Sequence, residues 1–335
     1  MSAAGILAPS PGRIIITLGV LLVLQIAFGT LLLLRSSSYL PAEATSPLMS
    51  CDFGKIEKVV FEERQNGGTT KLVLAKEKGG WVLPECYGFP AAQSTVTQLL
   101  DSLKETKKGL PVTATKEALE RFKVTAENFT KAINLYDGQN KVTTLYLGSS
   151  SGFRAVYART PENNEIYTIE IPEYLVTTKA DDWIDRHVLR LNANDLVAVD
   201  MGSFQLKKSK AEKKWALVHQ EKTTTLHDSV ADELIDALAN LSVNSALGTK
   251  MDGEAASILT VQSSLKEGRA LTYAFSRLKD KGTTVVKASD KPWYMAVDEW
   301  SIKRLKEVTP ASLLKREADE MTKEQKAKAD EKRKR

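Results

Sequence analysis

The residues best placed to do chemistry lie near the middle of the chain. Gly148-Ser149-Ser150-Ser151-Gly152 spells G-x-S-x-G, the pattern of the nucleophile elbow in serine hydrolases. An elbow requires a strand, a sharp turn and then a helix, because the helix N-terminus helps to stabilise the oxyanion. The residues that follow, Phe153-Arg154-Ala155-Val156-Tyr157-Ala158-Arg159, alternate instead with a period of two, which predicts a strand. A Gly/Ser cluster between two strands is the material of a hairpin loop. Ser150 is therefore expected in a turn, and no catalytic residue is assigned.

The less ordinary side chains of this stretch are Arg154, Tyr157 and Arg159. Two arginines at i and i+5 fall on opposite faces of a strand, with Arg159 on the face of Phe153, Ala155 and Tyr157. Arg159 is expected either to close one end of a sheet in a pair with Asp or Glu, or to meet a buried carboxylate or an anionic ligand. These three residues are the candidate contacts to a partner or ligand. His187 reads as a partly buried helix residue, and His219 and His227 flank a Thr-rich loop. None lies at metal-ligand spacing from a cysteine or carboxylate, and no glycine-rich phosphate loop occurs, so neither metal nor cofactor is expected. Cys51 and Cys86 each lie beside an early strand; they can form a disulfide in an oxidising compartment or remain two free core thiols.

The elements that must position these residues occur twice. Ile56, Val59, Val60 and Phe61, then Leu72-Val73-Leu74, then a Gly79-Gly80 turn into Trp81-Val82-Leu83, predict three strands. Val96, Leu99, Leu100 and Leu103 follow at helical spacing. The second copy opens near Asp195 with Val197, Val199, Phe204-Gln205-Leu206 and Trp215-Ala216-Leu217, and its helix face is Val230, Leu234, Ile235 and Leu238. Ala132-Ile133-Asn134-Leu135 matches Ile258-Leu259-Thr260-Val261, and Ile166-Tyr167-Thr168-Ile169 matches Trp293 to Val297. Asp182-Trp183 matches Glu299-Trp300, each expected to open a short helix, and Trp81, Trp183, Trp215 and Trp300 are expected as core anchors. The fold class is α+β: two duplicated, mainly antiparallel β-sheet units, each with an inserted helix, behind an N-terminal transmembrane helix. At the place equivalent to the G-x-S-x-G pattern, the second copy reads Ser276 to Gly282 with neither flanking glycine in position.

Ile14 to Leu34 runs 21 residues without a charge between Arg13 and Arg35. At 1.5 Å per residue such a helix spans the ~30 Å hydrocarbon core of a bilayer. A cleaved signal peptide would have a shorter apolar region nearer to Ala42-Glu43-Ala44, so an uncleaved signal anchor is expected. The two arginines balance each other, so charge alone leaves the orientation open. The chain divides into a short cytoplasmic segment (1–12), the anchor (13–35), a linker (36–50), a first unit (51–194), a second unit (195–314) and a charged tail (315–335). Of the net charge of +5, a surplus of three sits in that tail. A near-neutral body argues against a nucleic-acid groove.

Several segments together resemble one family, the DUF4340 domain proteins of bacteria. They are the anchor, Gly79-Gly80-Trp81-Val82-Leu83-Pro84, Thr115 to Val124, Leu145 to Arg159 and Trp183-Ile184-Asp185-Arg186. The resemblance covers most of Lys55 to Leu191 clearly and the second half more faintly. It implies a single-pass inner-membrane protein with its body in the periplasm, encoded beside components of ABC transporters of the gliding-motility type. It also implies an accessory role in an envelope transport complex, with protein partners that include transporter subunits; the absence of a catalytic constellation in the sequence makes the expected role non-enzymatic. The alternative from the residues is an envelope hydrolase or an anionic-ligand-binding protein using the Gly148–Arg159 hairpin.

Overall fold

The computed structural model describes residues 11–36, 46–65, 67–209, 214–218, 226, 228–279 and 282–314. The expected tail, the first ten residues, His219 and His227 lie outside them. Helix α1 runs Pro11–Ser36. Its described apolar residues from Ile16 to Leu31 are 52–67% exposed and pack on nothing in the body. Among the described residues, no helix is long and apolar enough to cross a membrane.

The first sheet is built from β1 (Lys58–Gln65), β2 (Gly68–Glu77), β3 (Gly80–Leu83) and β4 (Phe89–Pro90), then α2 (Gln93–Glu105) and α3 (Lys116–Arg121), then β5 (Lys131–Asp137), β6 (Asn140–Gly152), β7 (Ala155–Arg159) and β8 (Tyr167–Glu170). The second is built from β9 (Leu196–Asp200), β10 (Gln205–Lys208) and β11 (Trp215–Leu217), then α4 (Asp228–Ala239), then β12 (Val243–Gly248), β13 (Ala255–Leu265), β14 (Ala270–Leu278), β15 (Thr284–Ala288) and β16 (Tyr294–Val297). Helices α5 (Glu299–Glu307) and α6 (Pro310–Leu313) close the described chain. Each sheet has eight strands, in the orders β4-β3-β2-β1-β5-β6-β7-β8 and β11-β10-β9-β13-β14-β15-β16-β12. With β4 and β12 set aside, the remaining seven strands repeat one order, and every pairing is antiparallel. The structure is thus α+β with two antiparallel sheets.

Alternation fixes the registers. In the first sheet Val59, Phe61, Leu72, Leu74, Ile133, Leu135, Leu145 and Leu147 are all buried. Phe61 lies opposite both Leu72 and Ile133, and Ile133 lies opposite Leu145. A slip of one residue would turn this whole set to the other face. Val96, Leu99 and Leu103 of α2 cover it at the expected helical spacing. The turn before Trp81 holds the helix start: Gln93 accepts from Trp81 N–H (2.9 Å) and donates to the Trp81 and Ala91 carbonyls (3.0 and 2.8 Å). Gly80, at φ +118, leaves room for that side chain, since a Cβ there would sit 2.8 Å from the Gln93 amide oxygen.

Three expectations need correction. The linker does not extend to residue 50, because Leu48 and Met49 are buried in the core and Leu48 N–H donates to Thr106 O (2.8 Å). An apolar pair this close to the first strand is drawn into the sheet's core rather than left in a spacer. Trp300 is not a core anchor: it is 60% exposed, with Arg304 over its ring at 4.8 Å. Its supposed counterpart Trp183 is fully buried at 0%, against Phe61 at 4.9 Å, and follows a three-residue 3-10 turn instead of opening a helix. In α5 the inward face belongs to Ile302 and Leu305, three residues apart, which leaves Trp300 on the outer side.

One continuous apolar core runs from Leu48 to Leu313 and joins the two halves. At the junction Phe89 packs on Trp293 (4.9 Å), and Trp293 Nε1 donates to Tyr87 O (2.9 Å). Leu191 N–H donates to Ala239 O and Val243 N–H to Arg186 O, both at 2.9 Å.

Candidate functional site

The Gly148–Gly152 stretch is not the expected loop; it lies within strand β6. Register irregularities between Leu147 and Ser150, and between Ser150 and Gly152, absorb the extra residues as bulges. The turn itself is Phe153-Arg154, between the paired Gly152 and Ala155, with Arg154 in the left-handed region at φ 57. Ser150 Oγ donates to Gly152 O (2.9 Å) and lies 3.3 Å from Ala155 O, so its proton is directed into its own hairpin. Gly148 has a steric reason of its own. A Cβ there would lie 1.9 Å from Phe122 O and 3.0 Å from Lys123 O. The segment leaving α3 rests directly on the strand, where Ser149 N–H donates to Phe122 O (3.0 Å). The glycine of an apparent catalytic motif is a close-packing glycine.

The structure separates Arg154, Tyr157 and Arg159. Arg154 is exposed at the hairpin tip, its guanidinium 5.1 Å from the ring of Phe153, which is itself 86% exposed. Tyr157 stacks on Phe122 at 4.1 Å, part of a second, smaller apolar cluster under α3 with Leu119, Val124, Phe129 and Ile166. Arg159 is 8% exposed. It donates through Nε to Val124 O (2.7 Å) and through Nη1 to Asn163 O (3.0 Å) and Thr160 O (3.3 Å), and it lies over the Tyr146 ring at 5.2 Å. Its partners are carbonyls, not the expected carboxylate. Strand register leaves the guanidinium among the Val124, Thr160 and Asn163 carbonyls, to which it supplies donors. Glu162 stands nearby. Burial alone would raise its carboxyl, but hydrogen bonds from Thr160, its own backbone N–H and Thr143, with the Arg159 charge, hold it below the ordinary glutamate range.

The second sheet repeats this clamp. Tyr146 lies opposite Arg159 in β6–β7, and Ala274 lies opposite Lys287 in β14–β15. Lys287 Nζ donates to the carbonyl of Lys291, four residues on, as Arg159 does to that of Asn163, and it sits 5.6 Å from the Tyr294 ring. A cation that secures the next connection in both sheets is structural in both.

The remaining sequence candidates are scattered. His187 is exposed in a turn, not in a helix, where its backbone N–H is fixed by Asp185 Oδ1 (2.9 Å). Asp185 leads a tight turn between Trp183 and the second sheet, too short for a helix. Cys51 and Cys86 are free thiols, half-buried. Burial pushes both thiols up, helped by Asp52 and Glu162 around Cys51 and by Asp181 and Glu85 around Cys86. Among the described residues, no group of three or more His, Cys, Asp or Glu can hold a metal ion.

No motif pointed to a concave polar site that the structure forms among the described residues. A cavity of about 250 Å³ opens where the connection between the sheets crosses the β13–β14 hairpin, lined among others by Arg190, Asp195, Leu265, Arg269, Tyr273 and Asp290. Asp195 pairs with Lys266 at 3.2 Å and Asp290 with Lys291 at 3.3 Å. Burial first, and the Asp290 charge second, push the Tyr273 hydroxyl well above its ordinary value, so it remains a proton donor. Only the alternation of Leu271, Tyr273 and Phe275 was visible in the sequence, and it reads as ordinary core.

The family model of a domain of unknown function, DUF4340, matches residues 81–261, more than half of the chain. The chain belongs to the DUF4340 family. The matched DUF4340 region begins at Trp81 in β3 and ends at Val261 in β13, so it takes in the β6–β7 hairpin, the connection at 188–195 and the start of the second sheet. No curated protein and no solved structure matches the chain.

Proposed function

We propose that this DUF4340 protein is a membrane-tethered, non-enzymatic interaction module of the bacterial envelope. In this reading α1 anchors it in the cytoplasmic membrane and the two-sheet body stands in the periplasm as an accessory subunit of an ABC-type transport complex. The observation that carries the proposal is the contrast between α1 and the body. The body buries most of its large apolar side chains and exposes only scattered ones, whereas α1 presents Leu18, Val20, Leu21, Leu22, Val23, Leu24, Ile26 and Phe28 outward in one continuous run without a protein partner among the described residues. Such a surface is stable only in lipid or against another apolar helix. The uncharged run Ile14–Leu34 has the length for a span. The contact to a transporter subunit is assigned to the Phe153-Arg154 tip, an exposed aromatic beside a guanidinium, the composition of an interface anchor. The transporter partner follows from the family resemblance.

The test uses the whole chain in native membranes. Crosslinking and pull-down should recover inner-membrane transporter subunits with the wild type, and much less with Phe153→Ser/Arg154→Glu. Protease added to spheroplasts should digest the body. Recovery of no envelope protein, or a body protected from protease, would overturn the proposal.

A further inference from the structure

The cavity beside residues 188–195 has a built polar interior that the interaction reading does not use. Tyr273 is 1% exposed and lines it. Among the described residues its hydroxyl has no hydrogen-bond partner. Ser263 is buried as well, and its Oγ has none. Ser263 lies opposite Leu271 and Val261 opposite Tyr273, so the two hydroxyl-bearing residues are diagonal neighbours on one face of the β13–β14 hairpin. The Ser263 hydroxyl is enclosed without a partner among the described residues, whereas the Tyr273 side chain lines the cavity, where its hydroxyl is left to a ligand or water.

The first sheet at the same register shows what a closed version looks like. Tyr146 opposite Arg159 corresponds to Ala274 opposite Lys287, which sets Leu145 in the place of Tyr273 and Glu162 in the place of Asp290. Leu145 is fully buried, and Glu162 accepts from Thr143 (2.8 Å), so that site is apolar and satisfied. In the second sheet the leucine has become a tyrosine with an unused donor, and a space of about 250 Å³ stands over it. That is the liquid volume of about eight waters, and smaller than most drug-sized sites.

Charge decides what fits. Asp195 and Asp290 already have lysine partners, Lys266 and Lys291. Arg190 and Arg269, both exposed residues of the same lining, have no ion pair among the described residues. We propose that the cavity binds a compact oxyanion, the carboxylate or phosphate group of a small molecule. The Tyr273 hydroxyl donates one hydrogen bond, and the Arg190 and Arg269 guanidiniums supply the charge and the planar forks that suit such groups. This goes beyond the tethering role, and the site lies apart from the Phe153-Arg154 tip.

The test titrates the purified full chain, in detergent at constant ionic strength, with inorganic phosphate, succinate and glycerol 3-phosphate, using glycerol as the neutral control. Calorimetry should show saturable binding of at least one anion below about 1 mM, with a rise in Tm, and none for glycerol. Tyr273→Phe should leave the ligand-free Tm unchanged or higher, because it removes an unpaired hydroxyl, yet weaken anion binding by about tenfold or more. Arg269→Gln and Arg190→Gln should weaken it similarly. Phosphate arising from a lipid headgroup would show as glycerol 3-phosphate outcompeting succinate; a carboxylate ligand would show the reverse. Absence of saturable binding by all three anions, or equal binding by Tyr273→Phe, would overturn the proposal whatever the pull-down yields.

Discussion

The two sheets share a strand order and differ in what they support. Seven strands of each follow one pairing sequence, and each has a helix after its opening strands, α2 after β4 in one and α4 after β11 in the other. Even the segment after that helix does the same thing in both. Val112 N–H donates to Ile166 O and Ile166 N–H to Thr113 O at 2.7 and 2.8 Å, a short form of the β12–β16 pairing. The first sheet, however, carries α3 and a second apolar cluster on its outer face, and it fills the register position that the second leaves as a polar cavity. Backbone pairing survives where side-chain contacts have diverged, because a ladder needs only alternation and uninterrupted N–H and C=O partners. Sites depend on single side chains, and those are what differ.

The tryptophans give the widest contrast. Trp183→Ala should cost about 3–5 kcal/mol, since it removes a fully buried ring packed against Phe61. Trp300→Ala should stay within about 0.5 kcal/mol. Urea unfolding of both variants would show this, and similar losses would mean that the two positions are equivalent after all. Next comes the close approach under α3. Gly148→Ala places a Cβ 1.9 Å from Phe122 O, so α3 must lift, with an expected loss of about 3 kcal/mol and faster amide exchange over residues 116–129. Ser276→Ala, at the matching register of the second sheet, should be nearly neutral.

The two clamps are expected to differ less. Arg159→Gln should cost about 2 kcal/mol, because Val124, Thr160 and Asn163 lose a shared charged donor, and Lys287→Gln about half that. Melting of both variants would rank them; a costlier Lys287 substitution would invert the assignment. The mildest difference is in acid. Glu162 and Glu63 are held below the ordinary value near 4.5, Glu63 by hydrogen bonds from Thr178 and Gln65 and by Lys131, all of which outweigh burial. Their folded-state pKa values are depressed, so their contribution is complete above about pH 5 and declines as pH falls through 4.5 and below. Glu162→Gln should flatten the Tm profile between about pH 5 and 3 relative to wild type. An unchanged slope would remove Glu162 from the acid response.

The repeated strand pattern, the amphipathic faces of α2 and α4 and the uncharged run in α1 were legible because each rests on local periodicity. The hairpin was legible in outline, since Phe153 to Arg159 alternates as a strand must. Its turn was misplaced because nothing local announces that bulges will draw Gly148–Gly152 into β6. The Arg159 clamp was half-legible: its face was clear, and its carbonyl partner Val124, 35 residues away, was not.

By itself, then, the sequence determined the class of fold, the repeated strand pattern, the inward faces of α2 and α4 and the apolar N-terminal run. These follow from patterns of period 2 and 3.6 and from composition, which need no knowledge of distant neighbours. Only the tertiary structure decided that Gly148 serves packing, that Trp300 lies outside and Trp183 inside, and that Arg159 holds a loop. It alone brought Arg190 from the connection, and Arg269 and Tyr273 from the β14 hairpin, to one cavity. Residues nearly 80 positions apart meet there because antiparallel pairing closes a long loop, a contact written in no local stretch of the chain.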